Sequence, residues 1–218
     1  MDRVADVAER FGVYDDMAPH LAQALGSGET TVLRLTTAYA MIANGGRRLA
    51  PTLIDRIQDR HGRTVYRHDR RACQGCDAQA FDNVPPQLVE VRDQVIDPVI
   101  AYQMTSILEG VVQRGTGVRV RDLGRPVAGK TGTTNDSNDA WFVGFTPDLA
   151  VGVFVGFDDP TSLGGGETGS SVAAPVFRAF MASALEGTPI RPFPIPRGAI
   201  LVPIDLVSGR PVRPGTSG

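Results

Sequence analysis

Lysine is almost missing from this chain. Of its 22 basic residues 21 are arginine, and Lys130 is the one lysine in 218 residues. An arginine-favouring codon bias explains the trend and leaves Lys130 conspicuous. No excess of positive charge goes with the arginines, because the formal net charge is -2. Nothing therefore points to nucleic acid or to an anionic membrane as partner. Long apolar runs are absent too, and none approaches the roughly 20 residues that cross a bilayer. Met1 leads straight into the charged stretch Asp2–Arg10 rather than into a signal peptide. If the chain is a piece of a longer protein, its targeting segment and anchor are expected elsewhere. Cysteine is limited to Cys73 and Cys76, and histidine to His20, His61 and His68. One CxxC pair is half of a tetrahedral zinc set, and no HxxxH spacing completes it, so no metal is expected. A thioredoxin-like motif would need a strand before it and a helix after it, whereas the flanks here are polar and arginine-rich. A local disulfide of an oxidising compartment, or two inert thiols, remains.

What is present is ordinary globular material. Hydrophobic residues make up 42% and charged residues 21%, enough for one sizeable domain or most of one. Residues 2–11 read as a helix closed by Phe11-Gly12. Residues 29–44 read as a second, with Val32, Leu35, Tyr39 and Ile42 at helical spacing and Asn44-Gly45-Gly46 as its stop. Residues 51–68 suggest a hairpin about Asp59-Arg60-His61-Gly62, and residues 68–95 a polar surface excursion that includes Pro85-Pro86. A third helix starts with Asp97 as cap and Pro98 in its first turn, and Ile100, Met104, Ile107, Leu108 and Val111 are its expected buried stripe. Three strand signals follow, at about 126–133, 140–145 and 149–157, the last two joined by Thr146-Pro147-Asp148. A final helix over about 171–185 offers Val176, Phe177, Phe180, Met181 and Leu185 to a core. Seven prolines after Gly187 predict an extended tail over 187–218 rather than a packed element. The order predicts an α+β fold, an antiparallel sheet flanked by helices, over residues 1–186. Trp141, Phe142, Phe145, Phe154 and Phe157 read as sheet core, Asp158-Asp159 as a solvated strand end, and Glu167 and Thr168 as loop residues, either plain surface or the lining of a cleft.

The chemistry concentrates in Gly129-Lys130-Thr131-Gly132-Thr133-Thr134. With Gly124 this run is a literal GxxxxGKT, the spacing of a phosphate loop. Such a loop follows a buried strand and opens a helix. Here Arg119-Val120-Arg121-Asp122-Leu123 precedes it, Gly-Thr-Thr-Asn-Asp follows, and Pro126 stiffens it. The match reads as chance. As a sheet edge, the segment offers backbone N–H and C=O groups to an extended peptide. Gly132 allows close approach. Thr131 and Thr133, two residues apart, present hydroxyls to one side, where they suit a carboxylate. Lys130 adds positive potential.

Lys-Thr-Gly is one of the three signatures of penicillin-binding proteins and class A β-lactamases. Beyond it, the text resembles the bifunctional, class A penicillin-binding proteins. The resemblance runs through Ala24-Leu25-Gly26-Ser27-Gly28-Glu29-Thr30-Thr31, Ala38-Tyr39-Ala40, Ala43-Asn44-Gly45-Gly46, Arg114-Gly115-Thr116-Gly117 and Asp139-Ala140-Trp141-Phe142-Val143-Gly144-Phe145. It spans about residues 1–210. It implies the C-terminal portion of a transpeptidase domain with a β-lactamase/transpeptidase-like fold, incomplete at its N-terminal side and without cofactor. It implies cross-linking of peptidoglycan stem peptides through an acyl-serine, and β-lactams as mimics of the D-Ala-D-Ala end. Lys130 and Thr133 would be catalytic. Thr131, Gly132, Thr133 and Thr134 would bind substrate, the Thr133 N–H forming half of an oxyanion hole. The signatures that supply nucleophile, base and relay, SxxK and SxN, do not occur in this sequence. The resemblance puts them upstream, together with a glycosyltransferase domain and a membrane anchor at the periplasmic face. Three readings follow: a partial transpeptidase inactive alone, a serine hydrolase that uses Ser27 or Ser137, and a non-enzymatic peptidoglycan-binding module.

Overall fold

The computed structural model describes residues 1–76, 86–205 and 207–212. Parts of the excursion and of the tail, 77–85 and 213–218, lie outside these, as do Pro85 and Pro214. Among the described residues there are four α-helices: α1 Asp2–Arg10, α2 Val32–Ala43, α3 Pro98–Arg114 and α4 Ala174–Ala184. Their ends follow local chemistry. The Thr31 side chain accepts from Arg34 N–H, and the Asp97 carboxylate accepts from Val99 and Ile100 N–H ahead of Pro98. The expected hairpin is strand β1 Arg56–Gln58 paired with β2 Thr64–Arg67. A shorter pair, β3 Cys73–Gln74 with β4 Gln87–Leu88, carries the Cys73–Cys76 disulfide. The local-disulfide reading is the one the structure adopts.

The main sheet is antiparallel, ordered β5 (Ala128–Thr133), β6 (Ala140–Phe145), β7 (Ala150–Val155). One face buries α4 and the other α2, while α3 contributes to both. On one face Phe142 lies 4.7 Å, centroid to centroid, from Phe177 of α4, with Val112, Val127 and Met181 around them. On the other, Phe145 meets Tyr39 of α2 and Phe193 edge-on, with Leu108 of α3 beside them. Glycines make the first face possible. Gly129 and Gly144 are cross-strand partners. A Cβ on either would stand 2.9 Å from the Phe142 ring, and one on Gly144 would also stand 3.1 Å from Phe177. The rings occupy the space those side chains would fill.

Three expectations need correction. On α3 the buried face is Ala101, Thr105, Leu108 and Val112, one step round from the predicted stripe. Ile100 and Ile107 are 50% and 62% exposed. Small side chains let the helix lie close to β5, so the bulkier ones face outward. On α4, Phe177, Met181 and Leu185 are buried whereas Val176 and Phe180 are exposed. Among its described residues the tail forms no helix or long strand, as its prolines dictate, but it is not free of the core. Phe193 is buried against Phe145, and Arg125 donates to Leu185 O and Thr188 Oγ1. Among the described residues no helix is long and apolar enough to cross a membrane.

Candidate active-site cleft

Lys130 sits inside β5, opposite Val143, followed by Thr131 opposite Phe142, Gly132 opposite Trp141 and Thr133 opposite Ala140. β5 has a strand partner on one side only among the described residues. The strand begins four residues past Gly124, a left-handed cap of the preceding 3-10 turn Val118–Leu123. Lys130 is thus mid-strand and opens no helix, so the phosphate-loop geometry does not form. All five predicted residues, Lys130 through Thr134, line one cleft of about 540 Å³. Its far wall is Tyr14 and residues 25–30, the stretch Leu25-Gly26-Ser27-Gly28-Glu29-Thr30. Tyr14 braces that wall by donating to Gly28 O at 3.0 Å.

Alternation along the strand separates the roles. Lys130 shares its face with Val143 and the α2 side. Thr131 and Thr133 point to the opposite face. Each hydroxyl has a protein partner. Thr131 Oγ1 lies 2.7 Å from Thr116 Oγ1 of the loop after α3, and Thr133 Oγ1 accepts from Gly169 N–H at 3.0 Å. Lys130 Nζ donates to Thr131 O at 2.9 Å and approaches Thr131 Oγ1 at 3.4 Å. Among the described residues it joins no ion pair. Thr134 Oγ1 accepts from Asp139 N–H, and Thr134 N–H donates to Asp139 O, closing the turn from β5 to β6. Burial pushes the Tyr39 phenol above its ordinary value, so Tyr39, also in the cleft wall, stays protonated at neutral pH and is no base.

Four residues of the site had no site role in the sequence. Thr116 lay within a quoted motif without a role. Gly169 carried no signal, since only the fold brings its turn over Gly132. Trp141 and Phe154 were assigned to the core, but they stack at 4.8 Å in the cleft wall, with Phe154 41% exposed. Glu167 and Thr168 do not reach the cleft lining. Thr168 caps the π-helical turn Gly169–Ala173, and Ser171 donates to Glu167 Oε2 at 2.9 Å. Ser27 lines the cleft, yet neither Ser27 Oγ nor Ser137 Oγ is hydrogen-bonded to a base among the described residues. No cluster of three His, Cys, Asp or Glu residues is placed for a metal among the described residues.

A helix-flanked antiparallel sheet with Lys-Thr-Gly on its edge strand defines the transpeptidase class of fold, and comparison with known proteins agrees. Residues 6–182 match the family described as "Penicillin binding protein transpeptidase domain". The chain belongs to that family. Penicillin-binding protein 1A of Rickettsia prowazekii is 41% identical over 220 residues, which is 99% of this chain and 28% of that protein. Penicillin-binding protein 1A of Neisseria lactamica is 42% identical over 193 residues, covering 88% of this chain and 22% of that protein. The crystal structure of penicillin-binding protein 1A from Haemophilus influenzae superposes with TM-score 0.82 at 30% identity, over 99% of this chain and 35% of that one. PonA1 of Mycobacterium tuberculosis does so with TM-score 0.68 at 26% identity, over 98% of this chain and 55% of that one. The chain thus spans about 28% of the length of the Rickettsia relative.

Proposed function

We propose that this chain is the part of a peptidoglycan D,D-transpeptidase that docks the stem peptide, and that it forms no acyl-enzyme by itself. The observation that carries the proposal is the edge strand. Lys130, Thr131, Gly132 and Thr133 line one cleft, with an unpaired backbone edge beside two oriented hydroxyls. An extended peptide adds to such an edge through main-chain hydrogen bonds, and its terminal carboxylate meets the hydroxyls. In the reaction a serine from the complementing part of the domain attacks the penultimate D-Ala carbonyl. The Thr133 N–H then serves as one oxyanion donor, a contribution typically worth about 3–4 kcal/mol. D-Ala leaves, and an amine of a second stem resolves the acyl-serine. The Lys130 ammonium stabilises negative charge that develops nearby. β-Lactams enter as mimics of the same peptide end. The setting is the periplasmic face of the bacterial inner membrane, reached through an anchor carried by a longer protein.

Exposed apolar side chains agree with a domain whose remainder lies elsewhere. Ile100 and Ile107 on α3 and Phe154 in the cleft are uncovered, as expected where further structure packs. The test is incubation of the 218-residue chain with a reporter-tagged penicillin, followed by intact-mass analysis. The expected result is no covalent adduct. A stoichiometric adduct on one serine would place the nucleophile within these residues and overturn the proposal.

A further inference from the structure

The two hydroxyls of β5 share an electronic arrangement. Thr133 Oγ1 accepts the Gly169 N–H at 3.0 Å. Its own proton has no protein acceptor among the described residues. At Thr131 the neighbouring donors are the Thr116 hydroxyl at 2.7 Å and Lys130 Nζ at 3.4 Å. When Thr116 donates, Thr131 likewise keeps its proton free. The arm that carries Thr116 is rigidly held. Gly115 N–H and Gly117 N–H, on either side of it, both donate to Val111 O, at 3.0 and 3.1 Å. There is little room to replace either glycine, because a Cβ on Gly115 would stand 3.0 Å from Val111 O and one on Gly117 3.3 Å from it.

We infer that Thr116 is a positioning residue that sets the polarity of the Thr131 hydroxyl, so that the site selects a peptide carboxylate over a carboxamide. This rests on the reading of the cleft as the dock for a peptide end. In this assignment Thr116 O–H donates to Thr131 Oγ1 as Gly169 N–H donates to Thr133 Oγ1, so the two residues present O–H groups two positions apart on one face. A carboxylate is acceptor-only and takes both. A carboxamide replaces one of the two acceptor oxygens by an NH2 group that can only donate, so one of the two O–H groups is left facing a donor and without an acceptor. The chain Thr116 O–H to Thr131 O–H to carboxylate also polarises each bond in turn. Thr116 touches no reacting atom in this scheme. It acts through Thr131.

The experiment titrates the 218-residue chain with an N-acetylated D-Ala-D-Ala dipeptide and, separately, with its C-terminal carboxamide. Amide chemical shifts of Gly132 and Thr133 report binding into the millimolar range. The wild-type chain is expected to prefer the carboxylate by about tenfold, the usual scale of one charge-assisted hydrogen bond. Thr116→Val should bring the two ligands to within about twofold, and Thr116→Ser, which keeps the hydroxyl, should restore the preference. Unchanged β5–β6 amide shifts in the free variants establish that the strand is intact. If Thr116→Val keeps the full preference, the role assigned to Thr116 is wrong and the cleft reading survives. If the wild-type chain binds neither ligand, or both alike, the cleft reading fails and the role of Thr116 with it.

Discussion

Gly169 allows the sharpest structural test of how the cleft is built. It lies in the turn that precedes α4, pressed against β5 and β6. A Cβ placed there would stand 2.3 Å from Trp141 O, 2.5 Å from Gly132 O and 3.1 Å from Gly132 N. These are backbone atoms of two paired strands, so no side-chain rotation relieves the clash. Gly169→Ala must therefore lift the turn away from the sheet and break the bond from Gly169 N–H to Thr133 Oγ1. Overpacking of this kind costs about 1–3 kcal/mol, and the lost hydrogen bond about 1 kcal/mol more. The expected loss is about 2–4 kcal/mol, or roughly 4–16 °C in thermal midpoint for a unit of this size. Thermal unfolding followed by the fluorescence of Trp141, the only tryptophan, measures it directly, since Trp141 O is one of the atoms displaced. A Gly169→Ala chain that melts with wild-type midpoint and unshifted emission would refute the reasoning.

The core and the charge network give two further tests. Phe177 is fully buried against Phe142, so Phe177→Ala should cost about 3–5 kcal/mol in urea denaturation, and a loss under about 1 kcal/mol would contradict the packing. The Arg92 side chain hydrogen-bonds Glu90 and holds its carboxyl down to about 2; Arg71 likewise holds Asp69 well below the usual carboxylate range. A depressed folded value means stability that is present above the unfolded carboxylate range of about 4.3 and lost as pH falls through the folded value. Amide protection factors in β3 and β4, corrected for the intrinsic exchange rate, should therefore fall between about pH 4.5 and pH 2, and Glu90→Gln should flatten that dependence. A flat wild-type profile would count against the network.

Elements whose signals are local were legible in the sequence. Thr31 and Asp97 cap helices where capping chemistry predicts, and Asp59-Arg60-His61-Gly62 turns the hairpin between β1 and β2. The Lys130–Thr133 segment fell on an edge strand in a cleft, with Thr134 in the turn after it, because glycine, β-branched residues and a turn bound it on either side. What failed depended on distance in the chain. The α3 stripe was misplaced because periodicity alone ranks Ile100 and Ile107 above Ala101 and Thr105, whereas close approach to β5 favours the small residues. Trp141 and Phe154 looked like core because aromatic composition does not reveal which sheet face stays open. Gly169 and Phe193 were invisible because their partners, Thr133 and Phe145, lie 36 and 48 positions away.

The scarcity of lysine has a practical consequence. In this molecule an ε-amine is an address rather than a surface texture. Apart from the α-amine of Met1, which peptide mapping separates, an amine-directed reagent has one destination, Lys130 in the cleft lining. The rate at which that position is labelled becomes a direct gauge of occupancy. A peptide or β-lactam lying along β5 shields it, and one bound anywhere else does not, so competition can be followed on the unmutated chain.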